Sequence, residues 1–254
     1  MNEEKYTTYR IAPAADQAAV DYVYAHLKNF WFQRHNLPMS KEQEEALLKD
    51  YQETYFRTER APLTEMLKSF CDDQSPTSAL SFAEVGGANG TTLHYLKSIL
   101  DLSRVRYVGL EPYALFREDF NFHFPDQKML DGDLEGFANL DIVDDTDLPV
   151  SAVLCYGVMC MAPQRIVRAF LQRAAQMTDD ILGFDYCIDF DGALPKTNQW
   201  MFYYNEEQGQ LYFVHPFKDY LDEIGFETIK RENMIHADNK VGWQAFHFRR
   251  KQEA

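Results

Sequence analysis

The sequence predicts an α/β fold, in which helices flank an open and mostly parallel sheet. From residue 79 onward, short apolar runs suited to buried strands alternate with segments of helical spacing. A glycine-rich turn over residues 84–90 joins the first of these runs to a helix. Acidic residues follow several of the runs, as expected where the strand ends gather at one edge of a sheet.

The composition limits the classes of partner. The chain has 254 residues, enough for one domain with a full core. Its formal net charge is −15, and no stretch concentrates lysine and arginine into a basic stripe. We therefore expect neither a nucleic-acid partner nor binding to an anionic membrane.

The cysteines and the first residues indicate a compartment. None of the four cysteines makes CxxC spacing, and each lies in or beside an apolar segment: Cys71, Cys155, Cys160 and Cys187. They read as buried thiols in a reducing environment. Residues 1–5 have no apolar core of the kind found in a secretory leader, and no apolar run reaches membrane-spanning length. We expect a cytoplasmic protein.

Residues 1–77 are predicted to form a helical cap. Apolar residues at helical spacing begin at Ala18, and a polar break lies at residues 35–38. Ser40 with Gln43 is typical of a helix start with a capping box. A further helix is predicted over residues 62–70. The cap could serve as a lid, as an oligomer surface or as structural packing, and its sequence does not separate these roles.

Residues 78–254 are predicted to form one core unit. Its first five strands are expected at residues 79–83, 105–110, 128–130, 150–155 and 181–184. Residues 190–214 are predicted to be irregular, with a ring-rich stretch at 200–213 that either walls a pocket or packs on the cap. A helix then ends at Gly225, a residue suited to a helix C-terminus. Two final strands are expected at residues 226–230 and 243–249.

The glycine turn narrows the class of ligand. A pyrophosphate-binding turn reads GxGxxG, whereas here Gly86 and Gly90 are separated by one residue more and Glu84 ends the strand. A carboxylate at that position repels a pyrophosphate but can receive an amine or a hydroxyl. Glu111 follows the second strand and is placed to accept both hydroxyls of a ribose, and Asp133 follows the third and can receive an adenine amino group. Together these acids favour a cationic nucleoside.

The pattern resembles the class I S-adenosylmethionine-dependent methyltransferases. The matching segments are residues 84–90, Glu111-Pro112, Gly132-Asp133-Leu134, residues 152–159 and residues 215–227. The resemblance covers roughly residues 78–250. It implies a Rossmann-like sheet of seven strands whose last strand is antiparallel, with S-adenosylmethionine bound across its edge and S-adenosylhomocysteine as the product.

The resemblance also implies roles for single residues. Gly86, Gly87 and Gly90 are the turn glycines that let the methionine portion pass close to the backbone, and Glu84 organises that end. Glu111 and Pro112 meet the ribose, and Asp133 and Leu134 meet the adenine. Tyr156 ends the fourth strand and lies near the sulfonium and the acceptor.

The catalytic group is less well defined. His215 is a candidate base because it opens a helix after the ring-rich stretch, although a surface or capping histidine is the more common case. Tyr156 is a second candidate. It stands where metal-dependent relatives of the catechol type have an acid, so no metal is expected. Asp189 and Asp191 could also contact the substrate.

Three functions from different classes follow. The first is methyl transfer to oxygen or nitrogen of a small molecule, such as a sugar or a natural-product-like compound. The second is a binding or regulatory subunit that keeps the fold without catalysis. The third, a nicotinamide oxidoreductase, would require the GxGxxG turn that the sequence lacks.

Overall fold

The computed structural model describes residues 6–11, 17–139, 149–188, 200–205, 210–233 and 241–252. The strands in these ranges are β1 (Tyr6–Ile11), β2 (Leu80–Val85), β3 (Val105–Leu110), β4 (Lys128–Leu130), β5 (Ala152–Tyr156), β6 (Asp180–Ile188), β7 (Trp200–Asn205), β8 (Gln210–Val214), β9 (Phe226–Asn233) and β10 (Val241–Arg250). The helices are α1 (Gln17–Asn36), α2 (Lys41–Glu53), α3 (Ala61–Asp72), α4 (Thr91–Ile99), α5 (Ala114–His123), α6 (Leu134–Asn139), α7 (Gln164–Met177) and α8 (Phe217–Glu223).

Seven of the described strands form one sheet in the order β4-β3-β2-β5-β6-β10-β9. The pairs β2–β3, β2–β5, β3–β4 and β5–β6 are parallel. The last strand, β10, runs antiparallel to both β6 and β9. The predicted fold class, a Rossmann-like and mostly parallel seven-stranded sheet flanked by helices, is confirmed.

The central strands are buried on both faces, which is why their sequences are continuous apolar runs. All five residues of β5 are buried. One face packs against α6, α7 and α8, and the other against α3, α4 and α5. Helix α7 shows how sequence spacing sets this contact, because its buried side chains recur every three or four residues: Ile166, Val167, Phe170, Leu171, Ala174 and Met177.

The cap contains α1, α2 and α3. Ser40 caps α2 as predicted: its hydroxyl accepts the Gln43 N–H at 3.3 Å, and the Gln43 side chain accepts the Ser40 N–H at 2.9 Å. Helix α3 buries Leu63, Met66 and Leu67 against the sheet.

A second sheet corrects two predictions. Strands β1, β7 and β8 form a three-stranded antiparallel sheet, with Tyr6 opposite Asn205 at one end and Ile11 opposite Trp200 at the other. The prediction that residues 190–214 are irregular is therefore wrong for β7 and β8, and the segment before the sheet is not wholly helical. Aromatic residues are frequent in strands because they fit a pleated surface. In β7 and β8 this strand preference prevails, although the sequence there lacks the alternation of apolar and polar residues that marks a strand.

Two further features concern the environment of the chain. Cys71, Cys155 and Cys160 are buried free thiols, and the side chain of Cys187 lies outside the described residues. In the described ranges, no helix combines the length and the apolar character needed to cross a bilayer.

Candidate active site

A cavity of about 270 Å³ opens where the carboxyl ends of the parallel strands meet the cap. From the sheet side it is lined by the glycine turn, by the residues after β3 and β4, and by the end of β5. From the cap side it is lined by residues of α1 and α2. Ligands of open α/β sheets bind at this edge, so the cavity is the candidate site.

The glycine turn reaches the cavity through Gly86 and Ala88. Gly86 has φ +75°, Ala88 φ +46° and Gly90 φ +85°, so three of five successive residues have left-handed backbone. A Cβ added to Gly86 would lie 2.3 Å from Cγ2 of Val158. Only glycine therefore fits at position 86, and the backbone stays open to a ligand there.

Gly87 and Gly90 do not line the cavity in the described structure. A Cβ on Gly87 would lie 2.5 Å from the Tyr107 hydroxyl, and one on Gly90 would lie 2.8 Å from the Phe120 ring. These two glycines let the turn pack on α5 and β3. Their predicted contact with the cofactor stays a prediction.

Glu84 also lies beneath the turn and not on the cavity wall. Its side chain accepts hydrogen bonds from the Thr92 hydroxyl at 2.8 Å and the Tyr107 hydroxyl at 2.5 Å. Burial raises the pKa of Glu84 to about 7, although both hydroxyl donors lower it. The predicted role of Glu84 toward a ligand stays a prediction; in the structure its carboxyl supports the turn from below.

Glu111 and Pro112, both predicted to meet the ribose, line the cavity. One carboxyl oxygen accepts the Ala88 N–H at 3.0 Å, and the other accepts the Tyr113 N–H at 3.1 Å. Burial raises the pKa of Glu111 to about 7. Because each carboxylate oxygen has more than one acceptor site, the side chain keeps capacity for two further donors.

Asp133 and Leu134, both predicted to meet the adenine, lie at the start of α6 and line the cavity. One oxygen of Asp133 accepts the Gly136 N–H at 2.9 Å, and the other pairs with the Lys28 ammonium at 3.0 Å. Burial raises the pKa of Asp133, but the Gly136 N–H and Lys28 outweigh it and the pKa falls below its usual value. Asp133 is therefore ionised at neutral pH.

Tyr156 ends β5 and lines the cavity. Its ring stacks on Phe184 at 6.0 Å between centroids and meets Tyr55 edge-on at 5.7 Å. Its hydroxyl is buried and has no hydrogen-bond partner in the described structure. An unpartnered buried hydroxyl is unfavourable, so this group is one that a ligand would satisfy.

His215 does not line the cavity in the described structure, and its role as a base stays a prediction. It is 2% exposed, and its Nε2 lies 3.1 Å from the Met159 carbonyl and 3.0 Å from the Ala162 carbonyl. Burial lowers the pKa of His215 to about 4, so the ring is neutral at pH 7 and Nε2–H donates to the carbonyls. The ring is thus hydrogen-bonded within the protein, to backbone carbonyls.

The cap side of the cavity is formed by residues that the sequence analysis missed. Four of them recur at about one-turn intervals along one face of α1: Tyr24, the adjacent pair Leu27 and Lys28, and Trp31. Their i, i+3, i+4, i+7 spacing was the available signal, since it places them on one helix face. Tyr51 of α2 also lines the cavity.

Other candidates lie elsewhere. Within the ring-rich stretch, Tyr212 and Phe213 pack with Val20, Val23 and Leu27 of α1, which favours the packing interpretation for these two rings. Asp189 and Asp191 lie outside the described residues. In the part of the chain that the structure describes, no three His, Cys, Asp or Glu side chains group as a metal site would require.

Comparisons with known proteins give structural matches only. No family model matches the sequence, and no curated protein sequence matches it. An S-adenosylmethionine-dependent methyltransferase from Leishmania major superposes with a TM-score of 0.55 at 12% identity, over 89% of this chain and 82% of that one. The N-terminal domain of EvdMO1, with S-adenosylhomocysteine bound, gives 0.53 at 15% identity over 84% and 98%.

A third match is the magnesium protoporphyrin IX methyltransferase of Synechocystis PCC 6803 with S-adenosylhomocysteine bound. It superposes with a TM-score of 0.51 at 12% identity, over 93% of this chain and 99% of that one. These identities are too low to transfer a substrate, but the matches extend over most of both chains. The chain has the Rossmann-like fold of the class I S-adenosylmethionine-dependent methyltransferases.

Proposed function

We propose that this protein is an S-adenosylmethionine-dependent methyltransferase that acts on oxygen or nitrogen of a small molecule. The observation that carries the proposal is the Glu111 carboxyl, which lies on the cavity wall at the end of β3 and is held by the Ala88 and Tyr113 N–H groups. Its remaining acceptor sites suit a pair of vicinal hydroxyls.

The residues around the cavity fit the other parts of the cofactor. Gly86 lines the cavity with its backbone, and this backbone surface suits the methionine portion. Leu134 and the ionised Asp133 offer an apolar contact and an acceptor to adenine. The unpartnered Tyr156 hydroxyl supplies a donor at the end of β5. The magnesium protoporphyrin IX and Leishmania proteins are methyltransferases by name, and the EvdMO1 domain has S-adenosylhomocysteine bound, which supports the same proposal.

When bound, the cofactor supplies an electrophilic methyl group on a sulfonium. The protein then has to orient the two reactants and exclude water, because an in-line displacement depends chiefly on approach geometry. The end of β5 and the α1 face of the cap enclose the cavity for this purpose. Among the described residues that line the cavity, Lys28 is the basic one, and its ammonium is paired with Asp133. The acceptor is therefore one that reacts without a strong protein base.

The acceptor is proposed to be a small molecule, either a sugar or a natural-product-like compound. The cavity is close to the lower end of the size range of small-molecule sites, roughly 300–1,000 Å³. Its walls contain many rings and few charges. The net charge of −15 also disfavours a nucleic-acid acceptor.

The test is calorimetric titration of S-adenosylhomocysteine into the wild type, Glu111→Ala and Glu118→Ala, which removes an exposed acid from α5 as a control. We expect Glu111→Ala to weaken binding roughly 10- to 100-fold, since hydrogen bonds to a charged group are worth about 1.5–3 kcal/mol. Glu118→Ala should bind like the wild type. No binding to the wild type would refute the proposal.

Turnover is then measured as transfer of a radiolabelled methyl group from S-adenosylmethionine to a panel of phenols, amines, carboxylic acids and sugars. Product formation supports the enzyme. Cofactor binding without transfer to any member of the panel would favour the second candidate, a binding or regulatory subunit. The observation that favours the binding or regulatory subunit is the position of His215, whose ring is hydrogen-bonded to the Met159 and Ala162 carbonyls.

A further inference from the structure

We infer that Asp185 and His215 are positioning residues that fix one wall of the cavity and thereby select an apolar acceptor. The wall, here called the 158–162 wall, consists of residues 158–162 and contributes Val158, Met161 and Ala162 to the cavity lining. This inference rests on the proposed function, since it assigns the acceptor of the same site.

The 158–162 wall follows β5 as a short 3-10 helix, Met159–Met161. Asp185 of β6 holds the start of this helix: its two carboxyl oxygens accept the Met159 N–H at 2.8 Å and the Cys160 N–H at 3.0 Å. The Asp185 side chain is fully buried. A carboxyl placed on the N–H groups at a helix start satisfies donors that have no partner within the helix.

His215 holds the other end of the same wall. It follows β8, and its Nε2–H is shared between the Met159 and Ala162 carbonyls. Its ring packs among Phe213, Phe217 and Tyr220. The buried side chains of Asp185, in β6, and His215, just after β8, thus bind one four-residue segment, residues 159–162. Asp185 accepts from its N–H groups, and His215 donates to its carbonyls.

Packing alone does not require this arrangement. Burying a carboxyl and an imidazole is costly unless each is hydrogen-bonded, and apolar side chains would fill the same space at lower cost. What the two polar groups add is a fixed backbone position for a wall that touches the cavity. Val158 shows how close the fit is, since its Cγ2 occupies the place that a Gly86 Cβ would need.

The side chains that the wall presents define the acceptor class. Val158, Met161 and Ala162 are aliphatic or thioether groups, and Leu27 and Trp31 line the same cavity from α1. Such a lining offers dispersion contacts and few hydrogen bonds. It favours an acceptor with an apolar ring system over a free sugar, which needs a polar partner for each hydroxyl.

The test measures the wall and the acceptor separately. Amide hydrogen exchange is followed at Met159 and Cys160 in Asp185→Asn, His215→Phe, His215→Gln and the exposed control Asp126→Asn. Loss of one buried hydrogen bond should accelerate exchange at these amides about tenfold in Asp185→Asn. His215→Phe should also loosen the segment, whereas His215→Gln keeps a donor and should restore much of the protection.

Ligand selection is measured by titrating 1-naphthol and glucose into protein saturated with S-adenosylhomocysteine. We expect 1-naphthol to bind, glucose not to bind, and Asp185→Asn to weaken 1-naphthol about tenfold while the affinity for S-adenosylhomocysteine changes less than about twofold. The unfolding midpoint of each variant shows whether it is folded.

Each outcome decides a separate point. Unchanged exchange at Met159 and Cys160 in Asp185→Asn would refute the positioning role. Preference for glucose, or no binding of 1-naphthol, would refute the apolar acceptor. Failure of the wild type to bind S-adenosylhomocysteine would refute the proposed function, while the exchange data would still decide whether the two residues hold the wall.

Discussion

The cavity has two walls that are built in different ways. The sheet wall contains Gly86, Glu111 and Tyr156, which stand at strand ends and are fixed by backbone hydrogen bonds or left-handed backbone. The cap wall is a face of α1, and it is joined to the sheet side by the Lys28–Asp133 pair and by the Tyr24 hydroxyl, which donates to Glu135 at 3.1 Å.

The sheet wall should be rigid, and the cap wall should be able to adjust. A wall made of backbone in a buried sheet has one arrangement, because moving it breaks several hydrogen bonds at once. The cap wall is held by side chains whose charged ends are partly exposed, with Lys28 48% and Asp133 36% accessible. Such ion pairs contribute little to stability. Changes to the sheet wall should therefore have the larger effects.

The largest effect is expected for Gly86→Ala. The added Cβ would collide with Val158, and alanine at φ +75° carries backbone strain as well. We expect loss of detectable S-adenosylhomocysteine binding and a fall in the free energy of unfolding of about 2–4 kcal/mol, the sum of overpacking and left-handed strain. Calorimetric titration and urea unfolding measure the two quantities.

Gly225→Ala is the matched control for this substitution. Gly225 has φ +85°, but a Cβ there would meet nothing within 4 Å. It should lose only about 1–2 kcal/mol of stability for the left-handed backbone and should bind normally. Equal behaviour of the two variants would show that the rigid fit of the sheet wall at Gly86 is not what the ligand requires.

An intermediate effect is expected from the pH dependence of Glu111. The pKa of Glu111 is raised to about 7 in the folded protein, so the protein loses stability as the pH rises through about 7 and the buried carboxyl ionises. The ribose hydroxyls, however, donate best to the ionised carboxylate. Affinity for S-adenosylhomocysteine should therefore increase across this range. Glu111→Gln should bind roughly tenfold more weakly at pH 8, with little pH dependence, because the amide offers one acceptor oxygen in place of two.

Glu84→Gln is the control that distinguishes a carboxyl on the cavity wall from one that is only buried. Glu84 shares the raised pKa of about 7 but does not line the cavity. This variant should retain the rise in affinity with pH. If Glu84→Gln abolished the rise and Glu111→Gln preserved it, the assignment of the two carboxyls would be reversed.

The smallest effect is expected at the cap wall, for Lys28→Met. Loss of a half-exposed ion pair should change the free energy of unfolding by less than about 1 kcal/mol and weaken S-adenosylhomocysteine roughly two- to fivefold. Lys49→Met removes a more exposed pair with Glu53 on α2 and should leave binding unchanged. A loss comparable to that of Gly86→Ala would show that the cap wall is as rigid as the sheet wall.

The same contrast explains what the sequence could predict. Strand β5 is a continuous apolar run, and β3 is one apart from the exposed Arg106, so their positions follow from hydrophobicity. Glu111, Asp133 and Tyr156 were found because strand ends share one edge of a parallel sheet. Local patterns therefore predicted the sheet wall and most of the core.

Long-range packing accounts for what was missed. Whether Lys28 faces solvent or Asp133 depends on where α1 rests, which no local pattern encodes. Glu84 and Glu111 both stand at strand ends. The Glu84 carboxyl accepts a hydrogen bond from the Tyr107 hydroxyl, whereas the Glu111 carboxyl lines the cavity. The burial of His215 could not be predicted for the same reason, since its carbonyl partners lie more than fifty positions away in the chain.

The pairing of β1 with β7 has a consequence for synthesis. Tyr6–Ile11 is made early, but its partner Trp200–Asn205 emerges only after most of the chain has been translated. At about 5–20 residues per second, the early strand waits on the order of ten seconds or more with its edge unpaired. During that interval it is a surface that chaperones or neighbouring chains can bind. The small sheet therefore closes late in biogenesis, after the glycine turn and its flanking strands have already formed.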